Sequence, residues 1–244
     1  MFARSLKSMF LCCAAFFFRD VRPKVVFYHD IGTTYTPMGT PADLFFAHMQ
    51  HLSQCTEKHR VCLDDGFRGI WDHREGLRRL GIKPTVFLAV SLVGQANYLT
   101  WNEIRILQNE YGFDFQCHTW SHQTLAGPVN TDLPVPATPD FRTDSWYHHE
   151  LVDSKAEIEK KLSKRVSALC FPVGYFSDDV IRRCIEAGYQ ELYASYPGNR
   201  DEGKPTGLIP RILCQSLSQT EFKLVLAGGM NRFRRHYLRR HYCK

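Results

Sequence analysis

No CxxC pair and no zinc-ribbon spacing occurs in these 244 residues, although nine are cysteines. An odd, scattered set (Cys12, Cys13, Cys55, Cys62, Cys117, Cys170, Cys184, Cys214 and Cys243) argues against a disulfide framework. It suits a reducing compartment, so the cytoplasm, or the cytoplasmic face of a membrane, is expected ahead of secretion. No repeat with a period of about 20 to 50 residues is present, which argues against a solenoid. Long apolar runs are missing too. The run MFLCCAAFFF (9–18) has ten residues, about half of what crosses a bilayer. It has the length of a signal-peptide core, but no small-x-small cleavage site precedes Arg19, so a buried or membrane-lying helix is the better expectation. Excess charge is also absent from most of the chain. The net charge of +6 is carried by RFRRHYLRRHYCK (232–244), with five arginines, one lysine and no acid, and residues 1–231 balance. A neutral body without a nucleic-acid-binding motif excludes nucleic acid as the expected partner. The tail reads either as a solvated terminus or, through Phe233, Tyr237 and Leu238, as a short interfacial helix making peripheral membrane contact.

What is there is alternation. KVVFYHDI (24–31), RVCLDDGF (61–67 with Arg60), PTVFLAVSLV (84–93), FDFQCHTWSH (113–122), SALCFPVGY (167–175) and ELYASYP (191–197) are strand-like. Between them lie apolar residues at helical spacing over 41–55, 68–81, 100–112, about 149–164 and 177–189. A β/α alternation implies a mainly parallel sheet. The Pro/Asp/Thr-rich stretch 127–145 reads as a long loop. Polar residues sit at the C-terminal ends of the strands: His29, Asp64, Asp65, His118 and Tyr175. In a (β/α) barrel those ends gather on one face, where such enzymes keep their sites.

His118 and His122 form an HxxxH pair that lacks the glutamate a zinc protease would carry beside its first histidine. A carboxylate must therefore come from elsewhere, and LDDG offers two. Catalytic zinc commonly takes three protein ligands and leaves one position for water. One aspartate can ligate while its neighbour takes a proton from that water.

CLDDGF, HTWSH and CFPVGYFSDD, in this order and with helix–strand units between them, resemble the successive motifs of the polysaccharide deacetylases, the NodB-homology or carbohydrate esterase family 4 enzymes. FYHDI near the start resembles the opening strand of the poly-N-acetylglucosamine deacetylase subgroup. The likeness covers roughly residues 24 to 215. It implies a distorted, incomplete (β/α) barrel of the NodB-homology type, with residues 1–23 as an N-terminal apolar and basic segment, 24–231 as the catalytic domain and 232–244 as a basic aromatic tail. It implies Asp64 as catalytic base and Asp65, His118 and His122 as ligands of one divalent metal, zinc first, with cobalt, nickel or iron also suited. Trp120 would brace the loop or wall the groove, and Pro172 and Tyr175 would lie near substrate. Trp101 and Trp146 are further candidates for stacking on sugar rings.

Two departures from the family pattern matter. The arginine of the third motif, which orients the catalytic aspartate, is replaced by Cys170. Arg211, in IPRI, is a candidate to replace it. The late Leu-x-His motif that supplies a general acid is absent, and no histidine occurs between His149 and His236. In the permuted subgroup that strand comes first, and its histidine matches His29. The expected activity is metal-dependent N-deacetylation of an N-acetylated glycan or glycolipid. The competing expectations are a glycan-binding pseudoenzyme and a membrane-surface adaptor acting through the tail.

Overall fold

The computed structural model describes residues 11, 20, 22–129, 141–199 and 208–243. The N-terminal run at 9–18 lies outside these, except for Leu11, which is buried in the core, and most of the long loop lies outside them as well. Among the described residues no helix is long and apolar enough to cross a membrane.

Eight parallel strands form a nearly closed barrel. They are β1 (Val25–Tyr28), β2 (Arg60–Asp65), β3 (Thr85–Leu88), β4 (Asp114–Cys117), β5 (Ala168–Cys170), β6 (Glu191–Ala194), β7 (Leu208–Pro210) and β8 (Ile212–Leu213). Their order is β7-β6-β5-β4-β3-β2-β1-β8. β7 pairs with β6 and β8 pairs with β1, and a single residue, Arg211, separates the two. One kinked stretch thus links the first strand to the sixth. The barrel is also thin between β4 and β5, which share one registered pair, Cys117 with Leu169. There the Gln116 side chain substitutes for ladder bonds by accepting the Ser167 and Ala168 N–H groups at 3.0 and 2.9 Å.

Strand side chains alternate between two cores. Phe27, Cys62, Phe87, Ala168, Cys170, Tyr193 and Ile209 fill the barrel interior. Their alternates, including Val26, Tyr28, Leu63, Val86, Leu88, Phe115, Leu169 and Leu192, face the helices in the main core. Those helices are α1 (Ala42–Gln54), α2 (Gly69–Asp72), α3 (Arg74–Arg79), α4 (Trp101–Tyr111), α5 (Asp144–His148), α6 (Ser154–Leu162), α7 (Asp178–Glu186), α8 (Gln219–Leu226) and α9 (Arg234–His241). α4 carries the expected Thr100 cap as a full capping box with Glu103, and it stops at Gly112 in a left-handed conformation.

Several expectations are corrected. The single helix read over 68–81 is two, because the chain breaks at His73, whose ring bonds the Gly69 carbonyl. The strand read over 84–93 ends at Leu88 and passes into a 3₁₀ turn. The helix read from 149 begins at Asp144 and contains a π-helical turn, His149–Asp153. β7, β8 and α8 had no counterpart in the strand-and-helix pattern. The boundary at 231/232 marks a change of charge but not of packing. α9 lays Tyr237 and Leu238 on the core, and the backbone at Phe176 bonds His241 and Cys243. The tail is therefore built into the fold.

Candidate active site

β2 turns the chain into the barrel mouth. Asp64 follows Cys62 on the inward face, and Asp65 has φ 69°, with Gly66 next at φ 81°. This left-handed pair breaks strand alternation and lets both carboxylates face the same cavity. A side chain on Gly66 would lie 2.8 Å from Leu88 Cδ2, so the turn also needs glycine for space.

Arg211 reaches into the barrel from the kink between β7 and β8. It donates to both Asp64 oxygens, at 2.7 and 2.9 Å, and to Cys170 Sγ at 2.7 Å. Its guanidinium centre stands 4.2 Å over the Phe27 ring and 5.4 Å over Phe87. The structure thus brings Arg211 onto Asp64, with Cys170 alongside where the family has its arginine. Burial works to raise the Asp64 carboxyl, but Arg211 outweighs it and holds the group below the usual carboxylate range. Removing one member of a buried pair leaves an uncompensated charge, which costs about 3–5 kcal/mol. Arg211→Met should lower stability by that order at neutral pH. Without Arg211, burial raises the Asp64 pKa above its unfolded value, so acidification protonates the stranded carboxyl and the penalty should shrink. Urea denaturation at several pH values measures this, and the double variant Asp64→Leu/Arg211→Met should recover most of the loss. A penalty independent of pH would show that packing, not charge, is at stake.

Asp65, His118 and His122 converge beside this pair. Asp65 Oδ1 stands 3.1 Å from His122 Nε2 and 3.5 Å from His118 Nε2, and the two Nε2 atoms are 3.1 Å apart. An ion about 2.0–2.1 Å from each ligand, using three corners of a tetrahedron, spaces them by about 3.3 Å. The donor chemistry also fits. His118 Nδ1 bonds the Cys170 carbonyl at 2.8 Å, which places the proton on Nδ1 and leaves the Nε2 lone pair facing its partners. Burial, aided by His122, pushes the His118 pKa down to about 4, so the ring is neutral at physiological pH. Burial opposes charge on His122, but Asp65 outweighs it and raises that pKa. Asp65 Oδ1 is buried without a hydrogen bond. A second close set, Asp64, His118 and Cys170, is occupied by the Arg211 guanidinium, so a cation there would meet a resident cation. These three residues, Asp65, His118 and His122, are the candidate metal set.

The histidine loop is strained, since Thr119 and His122 have φ 68° and 61°. Glu150, buried in the π-helical turn, holds it. Its carboxylate accepts the Trp120 and Ser121 N–H groups, both at 2.9 Å, and the Ser121 hydroxyl at 2.6 Å. Nothing in the sequence spacing singled out Glu150. Losing a group that orients ligands commonly costs 10–100-fold in metal affinity. Glu150→Ala, which removes the acceptor of those N–H groups, should weaken metal binding by about that factor in a chelator competition assay. Unchanged affinity would make Glu150 a mere fold contact.

A cavity of about 690 Å³ opens over these groups, and His29, Asp64, Asp65, His118, His122 and Arg211 line it. His29 Nδ1 bonds Gln215 Oε1 at 2.6 Å. Tyr98 lines it too, stacked on Phe67 at 4.6 Å, and burial together with the Asp65 charge pushes its hydroxyl up to about 12. The other expected substrate residues are placed elsewhere. Trp120 packs on His149 and Tyr175 on His241, while Pro172 is buried behind Val173 and Gly174. Trp101 and Trp146 lie against the core and do not line this cavity. Tyr237, Arg240 and His241, by contrast, do line it.

The barrel and this constellation define a site at one barrel mouth, with three candidate metal ligands beside a separate carboxylate. Residues 55–192 match the polysaccharide deacetylase family, and the chain belongs to it. It is 23% identical over 146 residues to the Bacillus subtilis protein YxkH, matching 59% of this chain and 47% of that one, so it spans about half the relative's length. Among solved structures, the polysaccharide deacetylase BC0361 from Bacillus cereus superposes with a TM-score of 0.70 at 21% identity, covering 84% of this chain and 69% of that one. The Streptococcus pyogenes deacetylase PplD, in complex with acetate, gives 0.69 at 18% identity, covering 84% and 98%. IcaB from Ammonifex degensii gives 0.68 at 14% identity, covering 87% and 98%. At such identities the structural likeness establishes the fold.

Proposed function

We propose that the protein is a metal-dependent hydrolase that removes N-acetyl groups from an N-acetylated sugar in a glycan or glycolipid. One observation carries the reading: a three-ligand set, Asp65, His118 and His122, shares a cavity with a separate ionised carboxylate, Asp64, on the adjacent residue. A divalent metal held there, zinc first, would polarise the acetamide carbonyl and acidify water. Asp64, held charged and oriented by Arg211, is the proton acceptor. His29 is the donor to the departing amine: its Nδ1 proton is engaged by Gln215 Oε1, so Nε2 is the nitrogen that gives and regains the proton. The missing third-motif arginine favoured a glycan-binding pseudoenzyme, and Arg211 on Asp64 removes that motive.

Acetate release across N-acetylated glycans, with and without chelator, tests the proposal. Release should stop with chelator and return when a divalent metal is restored. Glycan binding without acetate release at any metal loading would favour the pseudoenzyme.

A further inference from the structure

The rim of the cavity carries features that a neutral sugar does not call for. Met38, Val173 and Leu213 line it at 39%, 48% and 41% exposure, and they are three of the five exposed large apolar side chains among the described residues. Val173 is the most telling. It is β-branched yet held at φ 57°, ψ 0°, a left-handed conformation that strains such a residue. Facing solvent, it returns nothing to the core, and strain of this kind concentrates where a protein contacts its ligand.

A cation lines the same cavity. The end of α9 abuts the Val173–Gly174 turn: a side chain begun on Gly174 would lie 3.4 Å from His241 Cδ2. The preceding residue, Arg240, lines the same cavity. Asp64 and Asp65 are the only acidic residues in that lining, and both already face cations or imidazoles. Among the described residues, the lining therefore combines a guanidinium without an acidic partner and three exposed apolar side chains.

Building on the deacetylase reading, we infer that the substrate is an N-acetylated sugar joined through a phosphate to an apolar chain. The phosphate lies on Arg240, and the chain runs across Met38, Val173 and Leu213.

Binding to the wild-type protein tests this with probes that cannot be turned over because a hydroxyl replaces the acetamide. The probes are glucose joined by phosphate to a ten-carbon prenyl chain, glucose 1-phosphate, and octyl glucoside, each below its micelle concentration. The full probe should bind at least about ten-fold tighter than glucose 1-phosphate, the return from burying some two methylenes, and tighter than octyl glucoside by the charge-assisted contact of its phosphate with Arg240. Arg240→Glu should erase the gain from phosphate. Val173→Gly should erase part of the gain from the chain without lowering Tm, because glycine accepts that backbone. Equal affinity for all three probes, or unchanged affinity in both variants, would overturn the inference. Glucose 1-phosphate binding as tightly as the full probe would overturn the apolar part. Failure of the deacetylase reading looks different: the affinity ranking would hold while no N-acetylated counterpart released acetate.

Discussion

Replacing His118 with alanine should yield protein without stoichiometric divalent metal and with activity reduced on the order of 10³-fold or more, the scale of losing a metal's charge stabilisation. His118 is 2% exposed and makes two local commitments, Nε2 toward Asp65 and His122 and Nδ1 to the Cys170 carbonyl. Alanine removes both, and the orphaned carbonyl costs about 1–3 kcal/mol, so a fall in Tm accompanies the loss of metal. His118→Gln separates the two effects. Its amide can still donate to that carbonyl, but it offers no imidazole lone pair to an ion. Elemental analysis of both variants should show metal lost in each, with the Tm of the glutamine variant nearer to wild type. Full occupancy in either variant would sink the ligand assignment.

The second large effect is expected at His29. His29→Asn should reduce kcat by about 10²–10⁴-fold, the usual contribution of an acid–base group, and leave metal content unchanged. Asparagine can retain a hydrogen bond to Gln215, so local order is preserved. The discriminating substrate is an activated acetyl ester, whose leaving group departs without a proton. A proton donor matters for the amide and little for the ester, so the two losses should differ widely. Equal losses on both would show that His29 shapes the site and does not donate.

The sequence made the alternation, the strand ends and the Asp65, His118 and His122 cluster legible because each is a local pattern: β-branched runs, helical spacing, and polar residues that follow a strand immediately. It also pointed to Arg211, but only as a candidate. What joins Arg211 to Asp64 is a kink that lets one stretch pair with both β1 and β6, and no local pattern announces such a kink. The strands flanking it are three and two residues long, too short to show a period. Glu150 was hidden for a related reason: it serves a loop some thirty residues earlier from within a π-helical turn. Ring chemistry alone does not say which way a side chain faces: Trp120 packs on the core and His149, and Tyr175 on His241. The basic tail misled because charge marks solvent exposure of tips, while Tyr237 and Leu238 on the same helix bury their stems.

The kink at Arg211 also orders events in time. A chain made from its N-terminus presents residues 60–65 long before residue 211 exists. Until then Asp64 has no guanidinium, β1 and β6 have no shared neighbour, and the pocket lacks the wall that α9 provides. Completion of the barrel and neutralisation of its buried acid are thus one step, which waits until residue 211 has been made. Asp64 cannot meet its partner on an unfinished scaffold.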